Sequence, residues 1–451
     1  MRIRYRLLTT LGSCLISLMP ALAQTSGTNS SYSRFGLGLP NNQSQGFSRS
    51  MGGVGQGIRD GIRVNSLNPA SYSAIDSVTF LFDVGMSLQR IRMSTGDNHL
   101  NINNTNFDYV TAGFHLTRNV GMSLGFQPFT SIGYSFTQEQ NVATDPYTGQ
   151  NITNTFSFDG SGGLHLAFAG VGWKPFKWVS IGANAGILWG NIKHQVVQTF
   201  AENGTSASNY SSLRTFYDTS VKTWKGDVGI QFTAPLNKKD QLTLGATVGI
   251  GHKIGGESTM LRTVLSGDTI TKTADKAYQL PMTYSFGAAW KHADKLTLAL
   301  DATLEQWSKC TTPRYNSTTG IYAASTGEYG NRLHINAGFE YIPGRLDRKY
   351  LQRINYRAGA YYATPFQKIT MHGATVDGPS EIGITAGLGL PISNGITRLS
   401  LLNVYTPSYV NIGVEWARRA PSNTQLITEN VFRINIGLTF NENWFMKWKF
   451  Q

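Results

Sequence analysis

Cysteine, charge and long apolar runs are all scarce in this chain of 451 residues. Of its two cysteines, Cys14 lies in an N-terminal segment with the features of a cleaved signal, so the mature chain keeps one thiol, Cys310. A single thiol excludes an internal disulfide and a cysteine-based metal site. Charged residues make up 14% of the chain, against about 25% in an average soluble domain. Beyond residue 23, no apolar run approaches the ~18 residues of a membrane-spanning helix.

The basic residues show no pattern that predicts nucleic-acid binding. The net charge is +13 at pH 7, which in a cytosolic protein would suggest such a partner. Here Lys and Arg are scattered through turns and strand ends, as a solvated, lumenal or headgroup-facing distribution would give. The eight histidines occur singly, without the spacing of metal ligands. We therefore predict neither a nucleic-acid partner nor a metal or other cofactor.

Two short strings match catalytic or phosphate-binding motifs without their context. Gly121–Gly125 fits G-x-S-x-G, but that nucleophile needs a strand-turn-helix elbow, and this string lies inside a predicted strand. Gly53–Gly57 is glycine-rich, but no Lys-Ser/Thr pair follows it and no β-α unit surrounds it. We predict that the protein is not an enzyme. A Ser/His pair brought together across strands, as an outer-membrane lipase would need, is the alternative that the sequence leaves open.

Residues 1–23 have the three parts of a secretory signal peptide. The start is basic (RIRYR), Leu7–Met19 is apolar, and Ala21-Leu22-Ala23 is an A-x-A cleavage site. The rival interpretation takes Leu11–Cys14 as a lipoprotein box, which would leave an apolar core of only about seven residues before the cysteine. The ordinary signal fits better, and it predicts an exported protein.

A polar stretch at residues 30–77 follows the signal. It is rich in Gly, Ser and Asn and has neither a helical nor a strand period. It is too long for an ordinary loop in a compact domain, and it contains Asn68-Pro69-Ala70 just before the first clear strand. We predict that this stretch is folded inside a barrel as a plug.

From residue 77 onward the hydrophobic period is two, which is typical of strands with one apolar face. Leu296–Glu305 and Phe432–Phe440 are clear examples. A soluble sandwich and a membrane barrel both give this alternation. About fourteen segments follow it, an even number typical of outer-membrane barrels. The segments are about 77–94, 106–117, 119–138, 153–173, 178–200, 216–234, 241–257, 278–291, 295–308, 332–343, 353–366, 380–391, 396–417 and 429–441.

The connections favour the barrel, because short and long ones alternate. Short turns follow the even-numbered segments, and longer polar loops follow the odd-numbered ones, as in outer-membrane barrels with short periplasmic turns. The short turns are 118–119, 174–177, 237–240, 292–294 and 393–395, and the long loops are 95–105, 139–152, 201–215, 258–277, 309–331, 367–379 and 418–428. The exception is 344–352, a longer periplasmic turn whose basic residues, Arg345, Arg348 and Lys349 with the adjacent Arg353, are candidates for contacting a partner.

Aromatic residues gather beside the predicted short turns. Trp173, Phe176 and Trp178 flank one turn, Trp290 precedes another, and Trp444–Phe450 holds four more. This distribution fits an aromatic girdle on the periplasmic side of a membrane barrel. Core aromatics of a soluble β domain are the alternative.

Two segments contain a proline where a ladder of hydrogen bonds should continue. Proline cannot donate to the ladder, and a closed barrel has no free edge, so Pro128 predicts a local break in the pairing of the third strand. A wide bulge of no functional consequence is the alternative. For Pro407 the alternative is that Asn403–Ser408 is a turn and the thirteenth strand is misplaced.

These features together resemble the FadL family of outer-membrane channels for hydrophobic compounds, such as fatty acids and aromatic hydrocarbons. The resemblance rests on the plug, the barrel of about fourteen strands, and the C-terminal stretch from Glu429, ENVFRINIGLTFNENWFMKWKF. It implies that Asn68, Pro69 and Ala70 belong to a lumenal hatch and that a kink at Gln127 and Pro128 opens a lateral gap. It identifies no ligand-binding residues, because the outer loops show no readable motif.

The sequence therefore predicts an all-β protein, a transmembrane antiparallel β-barrel in the outer membrane with both termini in the periplasm. Its expected parts are a signal peptide at 1–23, a plug at 24–76, the barrel at 77–441 and a periplasmic tail at 442–451. The implied function is passive uptake of small hydrophobic molecules with lateral release, with membrane lipids and the ligand as partners. The alternative is a non-transporting accessory subunit of an outer-membrane assembly or secretion complex, in contact with other outer-membrane proteins.

Overall fold

The described part of the chain is one closed antiparallel barrel of fourteen strands that surrounds an N-terminal plug. The predicted fold class is confirmed. The predicted signal peptide and the aromatic C-terminal tail lie outside the described residues. The structure is a computed structural model that describes residues 30–77, 79–144, 151–202, 205–206, 212–264, 267–371, 374–392, 396–399, 402–405 and 407–443.

The barrel strands are numbered here in chain order. They are β1 Thr79–Thr95, β2 Asn98–Thr117, β3 Val120–Thr144, β4 Asn151–Phe176, β5 Val179–Glu202, β6 Leu213–Pro235, β7 Asp240–Gly249, β8 Thr283–His292, β9 Leu296–Glu305, β10 Arg332–Tyr341, β11 Asn355–Ala363, β12 Ser380–Pro391, β13 Tyr409–Ala420 and β14 Thr428–Asn443. The ring closes between β1 and β14, where Thr79 faces Asn443 and Ser94 faces Thr428.

The wall has an apolar outer face and a polar lumenal face, because successive side chains of a strand point to opposite sides. On β13 and β14, Val414 and Ile436 are 43% and 39% exposed, whereas the adjacent Glu415 and Asn435 are 3% and 5% exposed. A soluble sandwich would bury the apolar face instead. The two-residue period therefore places apolar side chains on the outside of the barrel, facing lipid, and polar side chains in the lumen.

The two ends of the barrel differ. The connections after even-numbered strands define the turn end, and the opposite end is the hairpin end. The hairpin end carries three additional hairpins, which occupy stretches that the sequence indicated only as long loops. They are Glu257–Val264 with Thr269–Asp275, Thr312–Asn316 with Ile321–Ser325, and Lys368–Met371 with Ala374–Asp377.

The prediction for the chain before β13 is wrong. The sequence suggested a short turn at 393–395 and a strand at 396–417, but Ile396–Leu399 and Leu402–Tyr405 form a separate hairpin, and β13 begins at Tyr409. Pro407 explains the difference, since it cannot donate to the ladder and lies just before the strand. The alternative is therefore correct that the thirteenth strand was misplaced, but its turn at Asn403–Ser408 is wrong, because Asn403–Tyr405 belong to a strand of this hairpin. β7 also ends at Gly249, short of the predicted 257.

Helices are few and short among the described residues. The α-helices are Gly46–Arg49 and Tyr350–Arg353, the 3-10 helices are Ser31–Arg34, Pro69–Ala74 and Trp307–Lys309, and two strand fragments are Leu39–Pro40 and Thr205–Ser206. No helix in this part of the chain is long and apolar enough to cross a membrane.

Candidate functional site: a cavity between a sealed plug and a split wall

The plug comprises residues 30–77, and glycines of the wall allow its residues 51–73 to sit backbone against backbone in the turn-end half of the lumen. A Cβ added to Gly245 of β7 would lie 1.8 Å from the Gln56 carbonyl oxygen, and one on Gly121 of β3 would lie 1.9 Å from the Tyr72 carbonyl oxygen. Any larger residue would therefore displace the plug. Other wall glycines that meet plug backbone in this way are Gly172, Gly182, Gly338 and Gly359.

A buried ion-pair group fixes the plug to β10 and β11. Arg63 of the plug donates two hydrogen bonds to Glu340, at 2.7 and 2.8 Å, and Arg357 donates to the same carboxylate at 2.7 Å. Glu340 is 3% exposed. Charge-assisted, bidentate hydrogen bonds of this kind are the strong ones, and breaking a buried pair leaves an uncompensated charge. The plug is therefore held rigidly at this point.

Further contacts tie the turn-end loop of the plug to its surroundings. Asp60 lies 2.9 Å from Arg63 and 3.9 Å from Arg345. Burial acts to raise the pKa of Asp60, but Arg63 and Arg345 outweigh it and hold the pKa below its usual value. Asp60 is therefore a carboxylate at neutral pH and part of the seal.

The predicted hatch residues lie at the centre of the seated plug. Asn68 caps the 3-10 helix Pro69–Ala74, its side chain accepting a hydrogen bond from the Ala70 amide at 3.1 Å. The same side chain donates to the Gln56 carbonyl at 3.0 Å and to the Ile230 carbonyl of the wall at 3.2 Å. Asn68, Pro69 and Ala70 thus connect two turns of the plug to β6. Their role as a hatch stays a prediction.

The wall is split between β2 and β3. The two strands pair only between Val110–Thr117 and Val120–Phe126. Beyond Phe126, β3 continues with β4 as its only barrel-strand partner, and β2 continues with β1 as its only one. The outward-facing Met86 and Leu88 of β1 lie further toward the hairpin end and are apolar and exposed, so the split begins within the apolar band. No other adjacent pair of described barrel strands separates over such a length.

A bulge lies on each side of the split. Register shifts occur in β3 between Pro128 and Thr130 and in the β1–β2 ladder beside Asp108. The predicted break at Gln127 and Pro128 therefore coincides with a real irregularity of β3. The matching bulge at Asp108 lies opposite Gly85 and Met86 of β1 and was not predicted from the sequence.

The plug contacts both edges of the split. Gln43 donates to the Pro128 carbonyl at 3.0 Å, and its side-chain oxygen accepts from Gln127 at 2.6 Å. On the other edge, Arg49 pairs with Asp108 at 3.0 Å. The contacts of Gln43 and Arg49 could not be predicted from the sequence, because only the folded plug brings these residues to the wall.

The first described residues run along the open edge of β3 and satisfy its backbone. Leu39 and Pro40 pair with Ser131 and Thr130, and the Ser30 amide donates to the Gly133 carbonyl at 3.0 Å. The edge of β3 is thereby covered by the chain itself. The edge of β2 from Asn98 to Asp108 has no pairing strand among the described residues.

Leu37 anchors this segment in an apolar cluster at the hairpin end of the lumen. It is 2% exposed and packs with Ile132, Tyr329 and other apolar residues of the wall. Gly36 and Gly38 flank it with φ of +62° and +88°, a region that glycine adopts without strain. A Cβ on Gly36 would collide with Tyr329. The two glycines therefore let the chain turn Leu37 into the cluster.

A cavity of about 1840 Å³ occupies the lumen above the seated plug, larger than the 300–1,000 Å³ of ordinary ligand pockets. Its lining includes lumenal residues such as Phe168 and Asn184 and also Met86 and Trp189. The latter two belong to the outer face and are 44% and 36% exposed. The cavity is therefore continuous from the lumen through the split to the outer surface.

The predicted basic turn is a folded protrusion at the turn end. Arg345 reaches Asp60 of the plug, and the Gly344 amide donates to the Gln352 carbonyl at 2.8 Å. Leu346 and Leu351 are 67% and 68% exposed. The other basic residues, Arg348, Lys349 and Arg353, lie in the same protrusion, on or beside the α-helix Tyr350–Arg353.

The two strings that resemble catalytic and phosphate-binding motifs do not adopt the conformation that those motifs require. Gly121–Gly125 lies within β3, without a turn into a helix, and Gly53–Gly57 belongs to the plug. Among the described residues, no group of three His, Cys, Asp or Glu side chains is placed to hold a metal ion. Cys310 is buried at the hairpin end.

Comparison with known proteins assigns the family. The family model named BamG matches residues 6–451. The chain belongs to the BamG family. No curated protein matches the sequence. The match to the BamG family model therefore covers nearly the full length of the chain.

Solved structures share the fold of this BamG-family protein at low sequence identity. The Pseudomonas putida toluene transporter TodX is 14% identical, with a TM-score of 0.56 and coverage of 91% of this chain and 100% of that chain. The Ralstonia pickettii toluene transporter TbuX is 12% identical (TM-score 0.54; 91% and 99%). A Pseudomonas aeruginosa FadL homologue is 13% identical (TM-score 0.55; 90% and 99%). The resemblance to FadL-type channels is confirmed for the fold.

Proposed function

We propose that the protein is an outer-membrane channel for passive uptake of small hydrophobic molecules, which leave the lumen sideways into the bilayer. The supporting observation is that the cavity is continuous with the outer face at the β2–β3 split, while plug backbone fills the turn end. Among the described residues, the split offers a ligand in the cavity an exit toward lipid beside Phe107 of β2 and Phe126 of β3, whose rings stack with centroids 5.8 Å apart. The transporters TodX and TbuX, which share the fold, carry toluene, and we extend a hydrophobic substrate class to this chain.

Apolar burial drives capture in this proposal. Each CH₂ group that leaves water contributes about 0.8 kcal/mol, so a long-chain ligand is held by its length rather than by a specific contact. No step requires an energy source or a catalytic group. We place the turn end in the periplasm and the hairpin end outside. The proposed periplasmic position of both termini concerns residues 24–29 and 444–451, which lie outside the described residues.

Uptake by cells tests this function. A strain lacking the gene is complemented with the wild-type chain, and uptake of radiolabelled oleate and of toluene is measured. The proposal expects faster uptake of at least one ligand than in the uncomplemented strain. Equal rates at normal expression of the barrel would contradict it.

A second candidate is the accessory subunit of an outer-membrane assembly. The observation that favours it is the folded turn at 342–354, which holds two exposed leucines among four basic residues and is braced against the plug. Apolar residues rimmed by polar ones are typical of protein–protein contacts when they form a contiguous patch. Purification in mild detergent separates the two roles: a lone barrel with bound apolar ligand supports the channel. A fixed set of protein partners that is lost in the variant Leu346→Ser/Leu351→Ser supports the subunit.

A further inference from the structure

The outer face of β1, β13 and β14 changes abruptly from apolar to basic toward the hairpin end. Trp416 and Phe432 face each other at the last apolar level and are 41% and 47% exposed. Arg90 lies beside Phe432, and one step further Arg92 and Arg418 flank β14 from either side. We call Arg90, Arg92 and Arg418 the arginine cluster.

The geometry of the barrel directs the cluster toward one place on the outer surface. All its side chains point away from the lumen and are exposed. Neighbouring strands lie about 4.8 Å apart, so Arg92 and Arg418, with Asn430 between them, are about 10 Å apart at the backbone. Arg90 is two residues from Arg92, about 7 Å along the strand. Their long side chains can converge on a single group over β14.

The positive charge of the cluster is not neutralised by the protein. In the part of the chain that the structure describes, no carboxylate lies within ion-pair distance of the cluster. The inward-facing neighbours Arg419 and Arg433, by contrast, pair with Glu381 and Glu415 of the lumenal face at 3.1 and 2.8 Å. On the far side of the wall, the outward-facing Lys193 lies 3.9 Å from Asp218. The cluster is therefore an uncompensated cationic site on the membrane-facing wall.

We infer that the arginine cluster binds the phosphate of an outer-leaflet lipid headgroup, a phosphorylated glycolipid of the lipid A type. This rests on the outer-membrane placement under Proposed function, not on transport. Guanidinium groups match phosphate oxygens in a bidentate manner. The cluster lies where the apolar band ends, the level at which headgroups meet a membrane protein, and acyl chains would cover Trp416 and Phe432 below it. Binding of a soluble acidic protein would not explain why the arginine cluster lies at the end of the apolar band.

The test compares two triple variants purified in mild detergent. The first is Arg90→Gln/Arg92→Gln/Arg418→Gln, and the control, Lys193→Gln/Lys222→Gln/Arg214→Gln, changes basic residues elsewhere on the barrel. Native mass spectrometry measures binding of added diphosphoryl lipid A and of phosphatidylglycerol, and thermal unfolding confirms that both variants are folded. We expect at least about a tenfold loss of lipid A affinity in the first variant, because several charge-assisted hydrogen bonds disappear. The control should bind as the wild type does.

Each other outcome overturns the inference. Equal lipid A affinity in both variants would mean that the cluster is not the site. Displacement of lipid A by inorganic phosphate at similar affinity would make the cluster a site for free anions. Loss of a co-purifying protein, with lipid A binding unchanged, would make it a protein contact. Because the readout is lipid binding, it does not depend on whether cells take up hydrophobic ligands.

Discussion

The plug meets the wall in two different ways in the two halves of the lumen. At the turn end, backbone packs on glycine, and Arg63, Glu340 and Arg357 form a buried group. At the split, the same plug meets the wall through side-chain contacts, such as Arg49 with Asp108 and Gln43 with Gln127, and through the short strand Leu39–Pro40, beside a large cavity. The first junction is built to stay closed. The second borders open space on the lumenal side, and this difference supports the proposed lateral passage.

The strongest test of the closed junction is to remove its central charge. Glu340→Gln leaves Arg63 and Arg357 buried without a full counter-charge, and we expect the free energy of unfolding in detergent to fall by about 3–5 kcal/mol. The control is Glu328→Gln, which removes the exposed pair with Arg314. That change should cost less than about 1 kcal/mol. Similar losses in both variants would mean that the buried group does not hold the plug.

Filling the glycine contact should have the next largest effect. The Cβ of Gly245→Ala would lie 1.8 Å from the Gln56 carbonyl oxygen, so plug or wall must shift, at about 1–3 kcal/mol. Gly255→Ala is the matched change, because a Cβ there meets no atom within 4 Å. Thermal unfolding and protease sensitivity of the plug measure both variants. If the Gly245→Ala protein were stable and its plug resisted protease, the close packing of the plug on the wall at this glycine would be refuted.

At the split we expect a change in permeability larger than the change in stability. Asp108→Asn removes the ion pair with Arg49 at 3.0 Å, whose two side chains are only 4% and 10% exposed. We expect the free energy of unfolding to fall by about 1.5–3 kcal/mol, the contribution of a hydrogen bond to a charged group. Loosening this edge should raise ligand uptake several-fold. Asp218→Asn, which removes the exposed pair with Lys193, is the control. Reduced uptake at normal expression would show that the contact supports the passage rather than closing it.

The smallest structural effect is expected at Pro128. Pro128→Ala restores an amide that β3 can use in its ladder, so folding should be intact within about 1 kcal/mol. Uptake should fall if the break in β3 is needed for the opening. Pro313→Ala, in a hairpin away from the split, serves as the control. Unchanged uptake would leave the bulge without a role in passage.

Much of the architecture was predictable, because a period of two and the alternation of short and long connections are local patterns. The predicted long loop at 95–105 is wrong, however, because β2 begins at Asn98 and leaves only a short turn after β1. Pro128 also indicated the irregularity in β3, because proline has no backbone N–H to donate to the ladder wherever it lies in a strand. The error before β13 arose because Ile396–Tyr405 has strand-like composition but folds as a separate hairpin.

The site was less predictable, because its contacts join distant parts of the chain. Arg63 and Glu340 are 277 positions apart, and only the register of the barrel brings them together. The glycines that seat the plug lie within the strands, but several of them, such as Gly121 and Gly182, lie close to a strand end. The residues around Asp108 in β2 gave no sign of the bulge that the structure shows there.

The most direct test of lateral passage is photocrosslinking with a diazirine-labelled fatty acid, followed by mass spectrometry of the adducts. We expect adducts at Phe168 in the lumen and at Phe107 and Phe126 beside the split, with none on the turn-end loop 59–62 of the plug. They should be displaced by excess unlabelled ligand. Adducts spread evenly over the outer wall, or concentrated on loop 59–62, would contradict lateral passage.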